Sequence, residues 1–263
     1  AIGNEAFGYC SGLKSIRLPD NLQTIGDSAF YGCINLANIN FPSKLQTIGS
    51  GAFGRCHKLT NVNLPDGLKT IGSGAFMDCF RFANYQRGRT YDLSIPASVT
   101  TIGDFAFNGC QRLKSVKILS NAIEQINRGT FYGCTRLTSI TIPDSVKYIG
   151  KEAFGGCTSL TNLNFLTSSI KEIGGNAFSG CNGLTNVIIP DSVEKIGAEA
   201  FKDCKGLKTV RLPSSITGTK KVGVRVFSGC DNLKSIHYKL LYAYNQEFKA
   251  KLRDGNDARC YAY

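Results

Sequence analysis

The sequence predicts a β-rich solenoid of the α/β type, built from about ten stacked coils of 23 residues. One phrase, C-x-x-L-x-x-I-x-I-P-x-S-V-x-x-I-G-x-x-A-F-x-x-C, is complete between Cys134 and Cys157 and recurs along most of the chain. A fixed period in this range is typical of a solenoid, in which each coil buries its apolar face against its neighbours. The register is supported by the prolines, since all seven fall at one position of the phrase: Pro19, Pro42, Pro65, Pro96, Pro143, Pro190 and Pro213.

The first element of each coil is a short strand. Apolar residues alternate with polar ones after the Cys, as in Leu137, Ile140 and Ile142. A period of two indicates a strand with one face turned inward. The proline that follows has no N–H group to donate, so it ends the strand.

The second half of the coil contains a shorter extended segment and a turn. Val146 and Ile149 leave room for a second strand on the opposite side of the coil, and Gly150 is expected to permit a turn after it. The segment Ala-Phe-x-x-Cys has apolar residues at i, i+1 and i+4, which fits a single helical or 3₁₀ turn with all three side chains inward.

Cysteine is abundant, but its positions favour a structural role over a disulfide framework. Of eleven cysteines, only Cys260 is out of phase with the repeat. A residue that recurs in every coil forms a column through the stack, where free Cys behaves as a small buried hydrophobe. We therefore expect a reduced, buried cysteine ladder and no zinc site, because C-x-x-C pairs are absent from the sequence.

The repeated phrase resembles the BspA-like leucine-rich repeats of bacterial surface proteins, over about residues 2–238. The resemblance implies a right-handed, curved solenoid with a parallel sheet on its concave face. It also implies a bacterial protein that is secreted or attached to the cell surface, often with a role in adhesion or host-factor binding. The family supplies no catalytic residues and no cofactor to transfer to this chain.

The chain departs from the period in two places that matter for its organisation. Residues 83–91 lie in an insertion in the fourth repeat that is rich in Arg and aromatic residues. From Lys239 onward the repeat stops and apolar residues have helical spacing. We therefore divide the chain into a solenoid, 1–238, and a C-terminal cap, 239–263, which we expect to be helical, since repeat arrays need an atypical end unit.

Composition narrows the possible partners. The formal charge of +12 favours an anionic protein or glycan, although a charge of this size is also explained by solubility alone. Nucleic acid is a weaker candidate, because no nucleic-acid-binding fold is indicated, and no apolar run is long enough to insert into a membrane. Neither His57, next to Cys56, nor His237 lies in a catalytic motif. The sequence therefore predicts a protein that is not an enzyme.

The outward positions of the strands carry hydroxyl, amide and basic side chains, which donate and accept hydrogen bonds. The inserted loop adds Arg and Tyr, which are enriched at interaction hot spots. We predict a non-enzymatic module that binds a protein or a glycan, and the alternative is a structural spacer without a ligand of its own. The candidate ligand-binding residues are Arg17, Asn40, Asn63, Lys114, Lys117, Thr141, Asn164, Lys208, Arg211, Lys234 and His237 on the strands, and Tyr85, Arg87, Arg89 and Tyr91 in the loop.

Overall fold

The computed structural model describes residues 1–60, 62–82, 92–164, 167–216, 221–238 and 259–262. It is a solenoid of parallel strands, as the sequence predicts. Ten phenylalanines, one from each coil, form nine stacked neighbour pairs with ring centroids 5.1–5.7 Å apart. The described chain therefore completes about nine turns.

One side of the coils carries the first strand column, which follows each Cys. All its pairings are parallel, and it is divided into three sheets with the orders β1-β3, β6-β8-β10 and β13-β15-β16-β17. Its strands are β1 (Ser15–Ile16), β3 (Asn38–Ile39), β6 (Asp92–Ile95), β8 (Ser115–Ile118), β10 (Ser139–Thr141), β13 (Asn186–Ile188), β15 (Thr209–Arg211), β16 (Ser235–Tyr238) and β17 (Arg259–Ala262).

The second strand column lies after the proline and has two-residue strands. It forms two parallel sheets, β2-β4-β5-β7 and β9-β11-β12-β14. Its strands are β2 (Thr24–Ile25), β4 (Thr47–Ile48), β5 (Thr70–Ile71), β7 (Thr101–Ile102), β9 (Gln125–Ile126), β11 (Tyr148–Ile149), β12 (Glu172–Ile173) and β14 (Lys195–Ile196).

The glycine of the Ile-Gly pair is needed for close approach between coils. A Cβ added to Gly49 would lie 2.6 Å from the carbonyl carbon of Gly26, which is closer than real side chains come. We expected this glycine only to permit a turn, but it is also required for the close spacing of the coils. Asn127 takes its place at the break between β7 and β9, and there its side-chain amide donates to the carbonyl of Ile102. In a regular coil the glycine N–H makes this bond, as Gly49 does to Ile25 at 2.8 Å.

The Ala-Phe-x-x-Cys segment corrects one expectation, because it forms successive turns and no helical turn. In every coil the residue two positions before the Phe and the residue before the Cys have positive φ, for example Ser28 at 53° and Gly32 at 71°. Left-handed residues four positions apart interrupt a right-handed helix. Within the described ranges the structure contains no α-helix. Ala, Phe and Cys nevertheless point inward as predicted, and from the second coil on this Phe and Cys are buried.

The cysteine ladder is present and reduced among the described residues. Ten cysteines are free thiols; Cys10 is exposed and the other nine are buried. Each buried thiol donates to the carbonyl of the Phe in the preceding coil, as Cys134 does to Phe107 at 3.3 Å and Cys230 to Phe201 at 3.0 Å. Cys is therefore suited to this column because it is small, apolar and able to donate one hydrogen bond.

The C-terminal cap lies mostly outside the described residues, so its predicted helix and its boundary at 239 stay predictions. Its last residues form β17, which continues the first strand column. In the parallel register Cys260 is the partner of Ile236.

Removing a ring from the middle of the phenylalanine stack should weaken the whole solenoid. We expect Phe154→Ala to lower the free energy of unfolding by about 3–5 kcal/mol, because it leaves a cavity between two stacked rings. Urea denaturation measures the change. Phe7→Ala is the control, since Phe7 is half-buried and stacks on Phe30 at the end of the column. An equal loss in both variants would contradict the stacking argument.

The buried thiols should make the fold sensitive to alkali. Burial raises the pKa of Cys134 and of Cys181 to about 12 from an ordinary value of 9.0. The folded state therefore keeps these protons while the unfolded state loses them, and stability present below pH 9 is lost as the pH rises toward 12.

Over this pH range each such thiol lowers the free energy of unfolding by about 1.4 kcal/mol per pH unit. Urea unfolding between pH 8 and pH 11 should show a steep fall in the free energy of unfolding. Cys134→Ala removes one titrating thiol and should reduce the slope by about one proton. Identical slopes in the two proteins would show that the buried thiols are not responsible.

Candidate functional site

The candidate site is the outward stripe, which we define as the exposed residues on the strands of the first column and directly beside them, such as Lys114, Lys208 and Lys234 just before β8, β15 and β16. Inward and outward residues alternate along each strand, as in β8, where Val116 and Ile118 are buried and Lys117 is exposed. The described candidate residues all reach the surface: His237 is half-buried and the others are exposed. The described candidates on and beside the strands are therefore accessible to a ligand.

The central part of the stripe is organised around Lys117. Parallel register places Lys117 between Ser94 of the preceding coil and Thr141 of the next. Lys114 lies at the start of the same coil, and its carbonyl accepts from the N–H of Thr138 at 2.9 Å. Hydroxyl groups thus lie beside these two ammonium groups, and Asp92, which accepts from Ser115 Oγ, adds a carboxylate to this part of the stripe. The arrangement suits a ligand that carries both negative charge and hydrogen-bonding groups.

A second basic group lies on β15 and β16. The backbone N–H of Lys234 donates to the carbonyl of Lys208 at 2.8 Å, so these two lysines are in adjacent coils. Arg211 is paired in register with His237, whose Nε2 lies 3.2 Å from Ser235 Oγ. Arg211 is also 3.7 Å from Asp191, which partly compensates its charge.

The first coils contribute a smaller site. Arg17 and Asn40 line a depression of about 460 Å³ together with Phe41 and the carboxylate of Asp20. The stripe thus brings its cations together in three groups, and these groups are separated along the solenoid.

Electrostatics distinguish the two strand columns. On the second column, three lysines pair with glutamates of adjacent coils, while Lys69 has no ion pair with a described residue. On the outward stripe, Arg17, Lys114, Lys117, Lys208 and Lys234 form no ion pair with any described residue. The pairs of the second column are Lys147–Glu124 at 3.1 Å, Lys171–Glu194 at 3.8 Å and Lys195–Glu172 at 2.7 Å.

The two remaining strand candidates are asparagines. Asn63 is exposed, and Asn164 is exposed with its N–H donating to Asn162 Oδ1 at 3.2 Å. The loop candidates Tyr85, Arg87, Arg89 and Tyr91 lie outside the described residues.

The neighbouring Cys56 and His57 do not form a catalytic pair. The Cys56 thiol is buried and donates to the carbonyl of Phe30 at 3.2 Å, and burial raises its pKa well above the ordinary value. The His57 ring stacks on Phe80 with a centroid distance of 4.7 Å. A nucleophilic cysteine needs the opposite environment, one that stabilises the thiolate. Among the described residues no cluster of His, Cys, Asp and Glu is suited to hold a metal ion.

The turn face carries a feature that the repeat pattern alone did not reveal. Large side chains lean over a glycine at the same position of the next coil. Tyr31 lies against Gly54, and Tyr132 lies against Gly155, where an added Cβ would be 2.8 Å from the ring. The sequence signals such pairs when its repeats are aligned. The signal is a Tyr in one coil and a Gly at the same position in the next.

The comparisons with known proteins agree with this architecture. The family model described as BspA type leucine rich repeat region, in 6 copies, matches residues 1–90, 82–182 and 124–249. No curated protein matches the chain significantly.

Two solved structures illustrate the similarity. The leucine-rich-repeat protein of T. pallidum is 32% identical with a TM-score of 0.56, over 62% of this chain and 72% of that one. A leucine rich cell surface protein from Faecalibacterium prausnitzii A2-165 is 26% identical with a TM-score of 0.53, over 98% of this chain and 80% of that one. In the part of the chain that the structure describes, no helix is long and apolar enough to cross a membrane.

The tyrosine–glycine pairs can be tested by a double-mutant cycle. Gly155→Ala should lower the free energy of unfolding by about 1–3 kcal/mol, because the new methyl group meets the Tyr132 ring. Tyr132→Ala removes the obstacle, so the double variant should lose less than the sum of the single losses. Gly3→Ala is the control, since an added Cβ there has open space. Additive losses in urea unfolding would contradict the pairing.

Proposed function

The chain belongs to the BspA-type leucine-rich-repeat family, and from this premise we propose that it is a non-enzymatic binding module of the bacterial cell surface. Its ligand is a protein or glycan that carries negative charge and is held on the outward stripe. Leucine-rich-repeat proteins are typically binding or scaffold modules, which supports the general class. The proposed surface location is supported by the family and by the F. prausnitzii protein, which is described as a cell surface protein.

The observation that carries the proposal is the contrast in charge between the two strand columns. Three lysines of the second column pair with glutamates of adjacent coils, whereas five basic residues of the outward stripe have no acidic partner among the described residues. Uncompensated charge of one sign creates a potential that attracts an anionic ligand and increases its association rate.

Hydroxyl groups beside these cations provide the second type of contact. Ser94 and Thr141 flank Lys117 in register, and Thr209 and Ser235 occupy paired positions beside Lys208 and Lys234. Hydroxyl groups both donate and accept hydrogen bonds, so they can distinguish between ligands that carry the same charge. The Arg87 and Arg89 loop remains a proposed extension of this surface.

Binding to an anionic probe tests the proposal, with immobilised heparin as the glycan probe and poly-L-glutamate as the polypeptide probe. The stripe variant Lys114→Ser, Lys117→Ser, Lys208→Ser and Lys234→Ser removes four positive charges. We expect it to bind at least about tenfold more weakly than the unmodified protein. Binding of the unmodified protein should weaken as salt is raised, because exposed charges are screened.

A matched control removes equal charge from the other face, through Lys69→Ser, Lys147→Ser, Lys171→Ser and Lys195→Ser. It should keep most of the affinity, since these lysines lie on the second column. An equal loss in both variants would mean that net charge, and not the stripe, determines binding. If the unmodified protein binds neither probe nor any member of a wider panel of host matrix proteins and glycans, the structural-spacer interpretation is favoured.

A further inference from the structure

The turn face contains a groove that is separate from the outward stripe. It has a volume of about 470 Å³ and spans coils five to eight of the Phe-containing turns. Gly156 and Gly180 form part of its floor, and they stand where other coils carry Arg55, Asp78 or Asp203 before the Cys. Because Gly156 and Gly180 carry no side chain, the groove stays open at this position, which is also glycine in four other coils.

One wall is aromatic. Tyr132 is 45% exposed, yet its ring edge rests against the backbone of Gly155, so the ring is held in place and still reaches solvent. Phe105 lies beside it and is covered by the Arg128 guanidinium, whose carbon is 5.2 Å from the ring centroid. Tyr132 therefore provides the accessible aromatic surface of the groove.

The other lining groups are polar and available. Asn108, Asn176 and Ser179 have no side-chain hydrogen-bond partner among the described residues. Two amides and a hydroxyl offer both donors and acceptors. The one carboxylate, that of Glu152, is compensated by Arg128 at 3.3 Å and by Lys151 at 3.6 Å.

From these groups we propose that the groove binds a neutral oligosaccharide. A sugar ring presents an apolar C–H face, which suits the electron-rich face of Tyr132, and a rim of hydroxyl groups, which suits the free amides. Compensation of Glu152 removes the charge that would favour a cationic ligand. The proposal is independent of the anionic ligand assigned to the outward stripe.

An extended peptide is a poorer occupant, because the backbone of the floor has no free edge. The N–H of Gly156 donates to the carbonyl of Ser179 at 2.7 Å, and the N–H of Gly180 donates to that of Lys202 at 2.7 Å. Strand addition requires unpaired backbone groups. The groove therefore offers side-chain recognition of a ligand rich in hydroxyl groups.

The test is isothermal titration calorimetry with cellohexaose, maltohexaose, chitohexaose and mannohexaose, and with a heparin hexasaccharide for comparison. The unmodified protein should bind at least one neutral oligosaccharide. Tyr132→Ala should weaken that binding at least about tenfold, because stacking and ring burial are lost. Ser179→Lys should weaken it to a similar extent by filling the groove.

Each variant has a matched control at the same repeat position outside the groove. Tyr31→Ala removes a tyrosine that also rests on a glycine, and Ser228→Lys places a lysine two coils from Ser179. Lys202 occupies this position in the intervening coil, so lysine is compatible with the turn. Both controls should bind within about twofold of the unmodified protein.

Failure of all four neutral oligosaccharides to bind would overturn the proposal. Binding that is equally strong in Tyr132→Ala and Ser179→Lys as in the controls would also overturn it. Binding of the heparin hexasaccharide alone would assign glycan recognition to the outward stripe, so failure of the groove and failure of the stripe are distinguishable.

Discussion

The close spacing of adjacent coils is the constraint on which the structure depends. Backbone bonds join the turns as well as the strands, for example from the N–H of Phe30 to the carbonyl of Ala52 at 2.8 Å. At this spacing every side chain must be compatible with the residue at the same position one coil away. Phenylalanine rings meet this condition by stacking, cysteines by donating to the preceding coil, and Ile-Gly glycines by leaving room for the backbone. Each fixed position of the repeat is therefore occupied by a residue that packs well against the same residue in the adjacent coil.

This constraint explains why the fold was predictable from one sequence. Positions such as Phe154 and Cys157 recur because the same environment recurs, so their burial follows from the period alone. The helical turn at Ala-Phe-x-x-Cys was the wrong part of the prediction. Apolar spacing of i, i+1 and i+4 is compatible with a helix, but it does not report backbone φ, and the left-handed residues Glu152 and Gly156 exclude a helix.

The candidate site was predictable only in part. Alternation along the strands placed Lys117 correctly on the outward face, whereas Lys208 directly precedes β15. Their lack of an acidic partner, and the partner that Arg211 has in Asp191, depend on side-chain positions in neighbouring coils. The turn-face groove was missed for the same reason, since it is lined by side chains of four successive coils, among them Asn108, Tyr132, Glu152 and Ser179. The functional surfaces of a solenoid thus depend on which residues adjacent coils place next to each other.

The direction in which the tyrosines lean has a consequence for how such a chain grows by duplication. Tyr31 and Tyr132 each project onto the following coil, and each is followed by glycine at that position. In a tandem copy of a single tyrosine coil, a second tyrosine ring would stand where the following coil now has glycine. The pair of coils, tyrosine followed by glycine, is instead the smallest unit that can be inherited or inserted intact. The order of the coils therefore matters, because a tyrosine coil must precede a glycine coil, although the cores of the coils are nearly identical.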